Sequence, residues 1–163
     1  MNKIEHIDFT KMDVSDYVES LAHTSFTSRE LYNACQLFKQ MNEDPNCTII
    51  LTIAGSTQAA GCLQLYRDLV RLNMVDIIVA TGASVIDMDL YEALGYHHYE
   101  GTTKVDDDEL RQKGIDRIYD TYIYEEDLKK VDQYVCDIAT RYSEGSIMSS
   151  REFLNLLGKH TPN

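Results

Sequence analysis

With 163 residues, 27 acidic against 15 basic side chains and a net charge of −12, the chain is long enough for one domain with a continuous core. An excess of acid with no basic stripe excludes a nucleic-acid surface and disfavours an anionic membrane, and leaves a basic partner or a cationic substrate open. The longest apolar runs fall far short of a membrane span and MNKIEHIDFTKMD lacks the apolar segment of a signal peptide, so a cytoplasmic protein is expected.

In chain order, the spacing predicts a helix from about Val14 to Ala22, capped by Asp13 or Ser15. Thr27-Ser28-Arg29-Glu30 has the form of a capping box and opens a second helix to about Met41. Leu31, Ala34, Cys35, Phe38 and Met41 recur on it at helical spacing, which predicts one buried face. TIILTI (48–53) is a β-branched run with almost no polar break, the pattern of a strand covered on both faces. A small-residue turn, AGSTQAAG, leads to a helix from about Thr57 to Leu72. VDIIVA (75–80) then reads as a second buried strand that ends in another small-residue turn, TGAS. Strand, helix and strand in so short a stretch imply a right-handed parallel βαβ unit.

A helix over 85–94 ends at Gly95, a suitable C′ residue, and YHHYEG is a short strand or an extended loop. Asp106 to Lys113 is a short helix, DRIYDTYIY (116–124) is extended, and a helix over 125–142 follows. Ser149-Ser150-Arg151-Glu152 is a further capping box, opening a helix to about Leu157. The alternation predicts an α/β doubly wound fold with a mainly parallel sheet and flanking helices. It is read as a single domain over 1–163, with N-terminal helices about 13–42, a βαβ core about 48–94 and a remainder 95–163.

In such a sheet the ligand crevice lies beyond the carboxyl ends of the strands, where both small-residue turns fall. Small side chains let a ligand approach the backbone, and helix N-termini offer N–H groups to a phosphate, so the chemistry suits a dinucleotide. Gly55 and Gly61 make no G-x-G-x-x-G fingerprint, however, and small residues also serve close helix–strand packing. Asp87 and Asp89 follow the second turn; either could accept from ribose hydroxyls, or simply favour a helix start.

Other candidates carry less. Cys35, Cys47, Cys62 and Cys136 are scattered, form no C-x-x-C pair and are read as reduced thiols. His97 and His98 are adjacent on an extended segment and point to opposite faces, so they do not share a metal ion. Asp106 to Glu109 is a solvated helix start, the tyrosines around 119–124 pack, and no nucleophile–base arrangement is defended by spacing.

NMVDIIVATGAS, DLYEALGYHHYEG, DDDELRQKGIDRIYDTYI and SSREFLNLLGKH, with HTSFTSRELYNACQLFKQM upstream, resemble the amino-terminal half of the deoxyhypusine synthase family, prokaryotic members above all. The resemblance implies a Rossmann-like homotetramer and an NAD-dependent aminobutyl transfer. Spermidine is oxidised, its aminobutyl group is held as an imine on a lysine, and the group passes to a protein lysine or to putrescine. By position, the family's first NAD segment matches Gly55, Ser56, Thr57, Gln58 and Ala59 within Ala54–Gly61, and its second matches Thr81, Gly82 and Ala83. The ribose-binding acid matches Asp89 best and Asp87 second. On this likeness the small turn lines a dinucleotide site.

The family's polyamine-binding acids, its glycine triplet with a following His pair and its Trp-Gly-Lys nucleophile belong to a second half not matched here, and the chain contains no Trp. The expectation is therefore a part of the NAD site with no catalytic residue and no metal ligand of its own, completed by a homo-oligomer or by a chain carrying the second half. A non-catalytic regulatory or partner subunit of a full-length relative is the alternative.

Overall fold

The computed structural model describes residues 3–8, 10, 12–143 and 145–162, and it is a mixed α/β protein. The chain forms two compact units: Met1–Ile50 with Met74–Ile77, and Leu51–Asn73 with Ile78–Asn163.

The first unit is helical. Helix α1 (Val14–Ser20) opens on a capping box in which the Asp13 carboxylate accepts the Asp16 N–H at 2.9 Å and Asp16 answers the Asp13 N–H. A tight turn over Leu21–His23 buries Leu21 and leads to α2 (Thr27–Glu43). The capping box expected at Thr27–Glu30 does not form: Phe26 occupies the N-cap at φ +58°, without a side-chain cap bond. Arg29 instead reaches back, donating to the Thr24 carbonyl at 2.7 Å and to Ser25 Oγ at 2.9 Å, which fixes the entry turn and makes Thr27 the first helical residue. The expected buried face of α2 is also corrected. Leu31, Ala34 and Cys35 are exposed and only Phe38 and Met41 are half-buried, because nothing among the described residues covers that side.

Strands β1 (Ile50–Ile53) and β2 (Ile77–Ala80) pair with each other. Ile77 N–H donates to Ile49 and Thr81 N–H to Ile53, so donor and acceptor advance together and the pair is parallel, as the βαβ reading requires. The Asp76 carboxylate accepts the Ile49 N–H at 2.8 Å and pins this register at its start. Burial differs from expectation. Ile49 and Ile53 are buried, but Val79 is 55% exposed and Ile50, Ile77 and Ile78 are exposed as well. Among the described residues this sheet has two strands, without the flanking strands and second layer of helices that would cover both faces.

The helix expected over Thr57–Leu72 is interrupted. Cys62 N–H reaches Thr57 O, a wide five-residue closure, and Gly61 takes φ +93° before α3 (Leu63–Arg71) begins. After β2, wide helical turns over Ala83–Leu90 run into α4 (Tyr91–Ala93), which stops at Gly95 in the left-handed region as expected.

Beyond Gly95 the pairing is antiparallel. The segment read as extended over 116–124 folds back at Tyr119 (φ +54°) and Asp120, giving β4 (Ile115–Ile118) and β5 (Thr121–Tyr124). β3 (Tyr99–Glu100) joins the other edge of β5, in the order β3-β5-β4, with Tyr99 and Arg117 flanking Tyr122. The described strands thus make one parallel pair and one antiparallel sheet.

Helix α5 (Asp107–Gln112) is capped by Asp106, α6 (Glu125–Ser143) follows β5, and α7 (Ser150–His160) opens on the expected Ser149–Glu152 box. The core of this unit joins Leu90 and Tyr91 to Ile123, Val131, Ile138 and Leu157; Tyr91 is fully buried, which pushes its phenol up to about 12. A Cβ built at Gly101 would run into the Tyr122 ring. Gly101→Ala is therefore expected to destabilise by about 2 kcal/mol, read by denaturant unfolding, because the Tyr122 ring must shift and strain its hydrogen bond with the Thr102 N–H.

Candidate functional site

Ser84 ties the two small-residue turns together. It is fully buried, its Oγ donates to the Gly55 carbonyl at 3.0 Å and stands 3.1 Å from Thr81 Oγ1, and its N–H donates to the same Thr81 oxygen. The turn after β1 and the turn after β2 are thereby held side by side at the carboxyl ends of two parallel strands. Sequence reasoning passed over Ser84; its position three residues after Thr81, where a hydroxyl at a helix start captures an amide, was the available signal.

Around that link, the predicted residues are distributed as follows. Gly55 lies at φ +78° and Gly82 at φ −56°, and a Cβ at either would meet no atom within 4 Å, so open space lies over both backbones. Gly82 and Ala83 stand at a helix start, where amides lack intrahelical acceptors. Thr57 is exposed with Oγ1 2.8 Å from Tyr66 Oη, and Ser56 and Ala59 are half-buried. Gln58 is turned into the protein: it is 1% exposed, accepts weakly from Thr57, and its Nε2 has no partner among the described residues.

Asp89 sits further along the wide turns and lines a cleft of about 380 Å³ with Ile53, Tyr66, Ala80, Val85 and Ala93. Its Oδ1 is buried without a hydrogen-bond partner among the described residues. Burial, with a lesser push from Glu92, raises its carboxyl to about 6. Asp87 is raised too, by burial and then by Asp132, but it does not line the cleft. The structure therefore brings Gly55, Ser56, Thr81, Gly82 and Ala83 together, and puts Asp89 in the adjoining apolar cleft.

An unpaired buried acceptor at Asp89, uncovered backbone at Gly55 and Gly82, and a helix start between them are what a ribose and a pyrophosphate require. The donor set fits a dinucleotide. Among the described residues no three His, Cys, Asp or Glu side chains are grouped to hold a metal ion. His97 and His98 point to opposite sides as expected, with His97 exposed and the His98 side chain 5% exposed.

The sequence model of the family described as deoxyhypusine synthase matches residues 16–163. The chain belongs to the deoxyhypusine synthase family. It is 52% identical over 157 residues to a deoxyhypusine synthase-like protein of Coxiella burnetii, covering 96% of this chain and 44% of the relative. A deoxyhypusine synthase-like protein of Caulobacter vibrioides is 45% identical over 156 residues, covering 96% and 42%. A probable deoxyhypusine synthase 2 of Methanosarcina acetivorans is 35% identical over 153 residues, covering 94% and 44%. The chain spans less than half the length of these deoxyhypusine synthase relatives. No helix among the described residues is long and apolar enough to cross a membrane.

Proposed function

We propose that this chain supplies part of the NAD site of a deoxyhypusine synthase-like transferase, which moves the aminobutyl group of spermidine to an amine acceptor. The observation that carries the reading is the Ser84 bridge to Gly55, which sets two glycine-bearing turns together at the carboxyl ends of β1 and β2 beside the Asp89 cleft. Gly55, Ser56, Thr57, Gln58 and Ala59 form one wall, chiefly through backbone. Thr81, Gly82 and Ala83 offer the helix start to the pyrophosphate, and Asp89 accepts from ribose hydroxyls. NAD bound there would supply the hydride acceptor for oxidation of the polyamine, and these residues would hold and orient it.

On this reading residues 1–163 are the first part of a longer Rossmann-like, doubly wound, cytoplasmic enzyme that acts as an oligomer. Its lysine nucleophile and polyamine-binding acids lie in the part of the relatives that this chain does not span. The exposed apolar side chains of β2 and α2, Val79 and Leu31 among them, support a partner or second copy that covers them.

The pH dependence of NAD affinity tests the site. A carboxylate accepts from two ribose hydroxyls better than the neutral acid does, so affinity rises as pH passes upward through about 6, where Asp89 ionises. Calorimetric titration between pH 5 and 8 is expected to show tighter binding at the upper end, and Asp89→Asn is expected to flatten the profile. An identical rise in the Asn variant removes Asp89 from the site.

A further inference from the structure

We infer that the groove between the end of α6 and the outer stripe of α7 docks an acidic, extended segment of a partner protein, with one apolar side chain between two carboxylates. Helix α7 buries Leu157 in the core it shares with Val131 and Ile138 of α6, which leaves another stripe outward. Arg151, Asn155 and Lys159 follow one another at intervals of four along that stripe. All three are exposed and line a cavity of about 610 Å³. Met148 and Leu156, both half-buried, add apolar lining, and Tyr142 of α6 adds an aromatic ring. That ring is held in place, 4.3 Å from the His160 ring and 5.9 Å from the Arg141 guanidinium. Tyr134 of α6 donates its hydroxyl to the His160 carbonyl and so ties the last turn of α7 to α6.

The charge of this groove runs against that of the chain, which carries 27 acidic and 15 basic side chains. Arg151 and Lys159 form no ion pair among the described residues, whereas Arg117, Lys129 and Lys130 each do. The acid beside them, Glu152, is committed to the helix cap. It accepts the Ser149 N–H at 2.7 Å and the Ser149 hydroxyl at 2.8 Å, which holds its carboxyl below the usual range. The uncommitted charge of the lining is therefore positive, and its complement is an acidic segment. Spacing selects the form of that segment. Arg151 and Lys159 stand about 12 Å apart along the helix axis. In an extended strand the first and fifth residues are about 13 Å apart on one side, with the third between them. An acid-x-apolar-x-acid stretch thus brings a carboxylate to each cation and its apolar side chain to Met148 and Leu156. The Asn155 amide, both donor and acceptor, suits the backbone of such a stretch. A small anion reaches one cation and leaves the apolar lining unused. No residue of this groove belongs to the proposed NAD site, so the two readings stand or fall separately.

The test uses the whole chain and a fluorescein-labelled peptide with the core Glu-Ser-Leu-Ser-Glu, read by fluorescence anisotropy. Saturable binding that weakens with added salt is expected. Peptides with the cores Lys-Ser-Leu-Ser-Lys and Glu-Ser-Ser-Ser-Glu should bind at least about tenfold more weakly. Arg151→Gln with Lys159→Gln, both at exposed positions, should weaken the first peptide at least about tenfold with thermal unfolding unchanged. Lys39→Gln with Lys104→Gln, exposed lysines elsewhere, should leave its affinity as it was. No saturable binding, equal binding of either control peptide, or full affinity in the Arg151/Lys159 variant overturns the proposal. So does ejection of the peptide by a chain carrying the remaining length of the relatives, which would assign the groove to that chain. The wild-type peptide series decides even where a variant fails to fold.

Discussion

Gly82→Val is expected to lower the affinity of the chain for NAD at least about tenfold, roughly 1.4 kcal/mol, while leaving the fold intact. Gly82 has φ −56° and ψ −41°, a conformation any L-residue adopts, and a Cβ there meets nothing within 4 Å. Valine is a poorer N-cap than glycine, so a small folding cost is expected, which thermal unfolding reads apart from the loss of binding. The added isopropyl group projects into the space over the two turns, through which a pyrophosphate must reach the backbone N–H groups. Gly55 is a poorer probe: at φ +78° any side chain is strained by roughly 1–2 kcal/mol, so lost binding could not be separated from lost structure. Calorimetry paired with thermal unfolding reads both quantities. A folded Gly82→Val chain with undiminished NAD affinity sinks the assignment of the turns.

The parts of the fold that were legible in the sequence are those decided locally. The Ser149–Glu152 box, the Gly95 stop and the parallel pairing of β1 with β2 depend on a few residues and a short connection, and each is found. The parts that were not legible depend on what lies on the far side of an element. The apolar run 75–80 reads as a doubly covered strand, yet β2 is exposed along most of its length, because periodicity reports what a strand can bury and not what is there to bury it. The hairpin at Tyr119 escaped for another reason. It turns on a tyrosine and an aspartate without glycine or proline, so the residues that usually mark a turn are missing.

The candidate site divides the same way. Its position at two strand ends followed from element order, and the small residues marked it. The tie through Ser84 and the burial of Asp89 did not follow, because both depend on the distance between segments 29 residues apart or on a cleft wall assembled from β1, α3 and the wide turns. Gln58 shows the converse: the family likeness places it by position in the first NAD segment, and the wide turn over Gln58–Cys62 turns its side chain into the interior.

Residues 1–163 alone, incubated with spermidine and NAD, are expected to yield no NADH and no borohydride-trapped lysine adduct. Forming an imine needs an uncharged amine, which in a lysine means a pKa lowered by burial or by a neighbouring cation. Lys3, Lys39, Lys104, Lys113, Lys129, Lys130 and Lys159 are all exposed; Lys11 lies outside the described residues. Two of them are held the wrong way: Glu126 at 2.9 Å, with Glu125, raises Lys129, and Asp127 at 2.7 Å raises Lys130, so each ammonium keeps its proton more firmly than in water. Lys159 follows Gly158, but Leu157 precedes that pair and the chain has no Trp, so the family's Trp-Gly-Lys setting is not met. Adding a chain that carries the remaining length of the relatives should restore both NADH and the adduct, with the trapped lysine on the added chain. Mass spectrometry after borohydride locates it. An adduct on any lysine of residues 1–163, formed without the added chain, would overturn the reading that the nucleophile lies elsewhere.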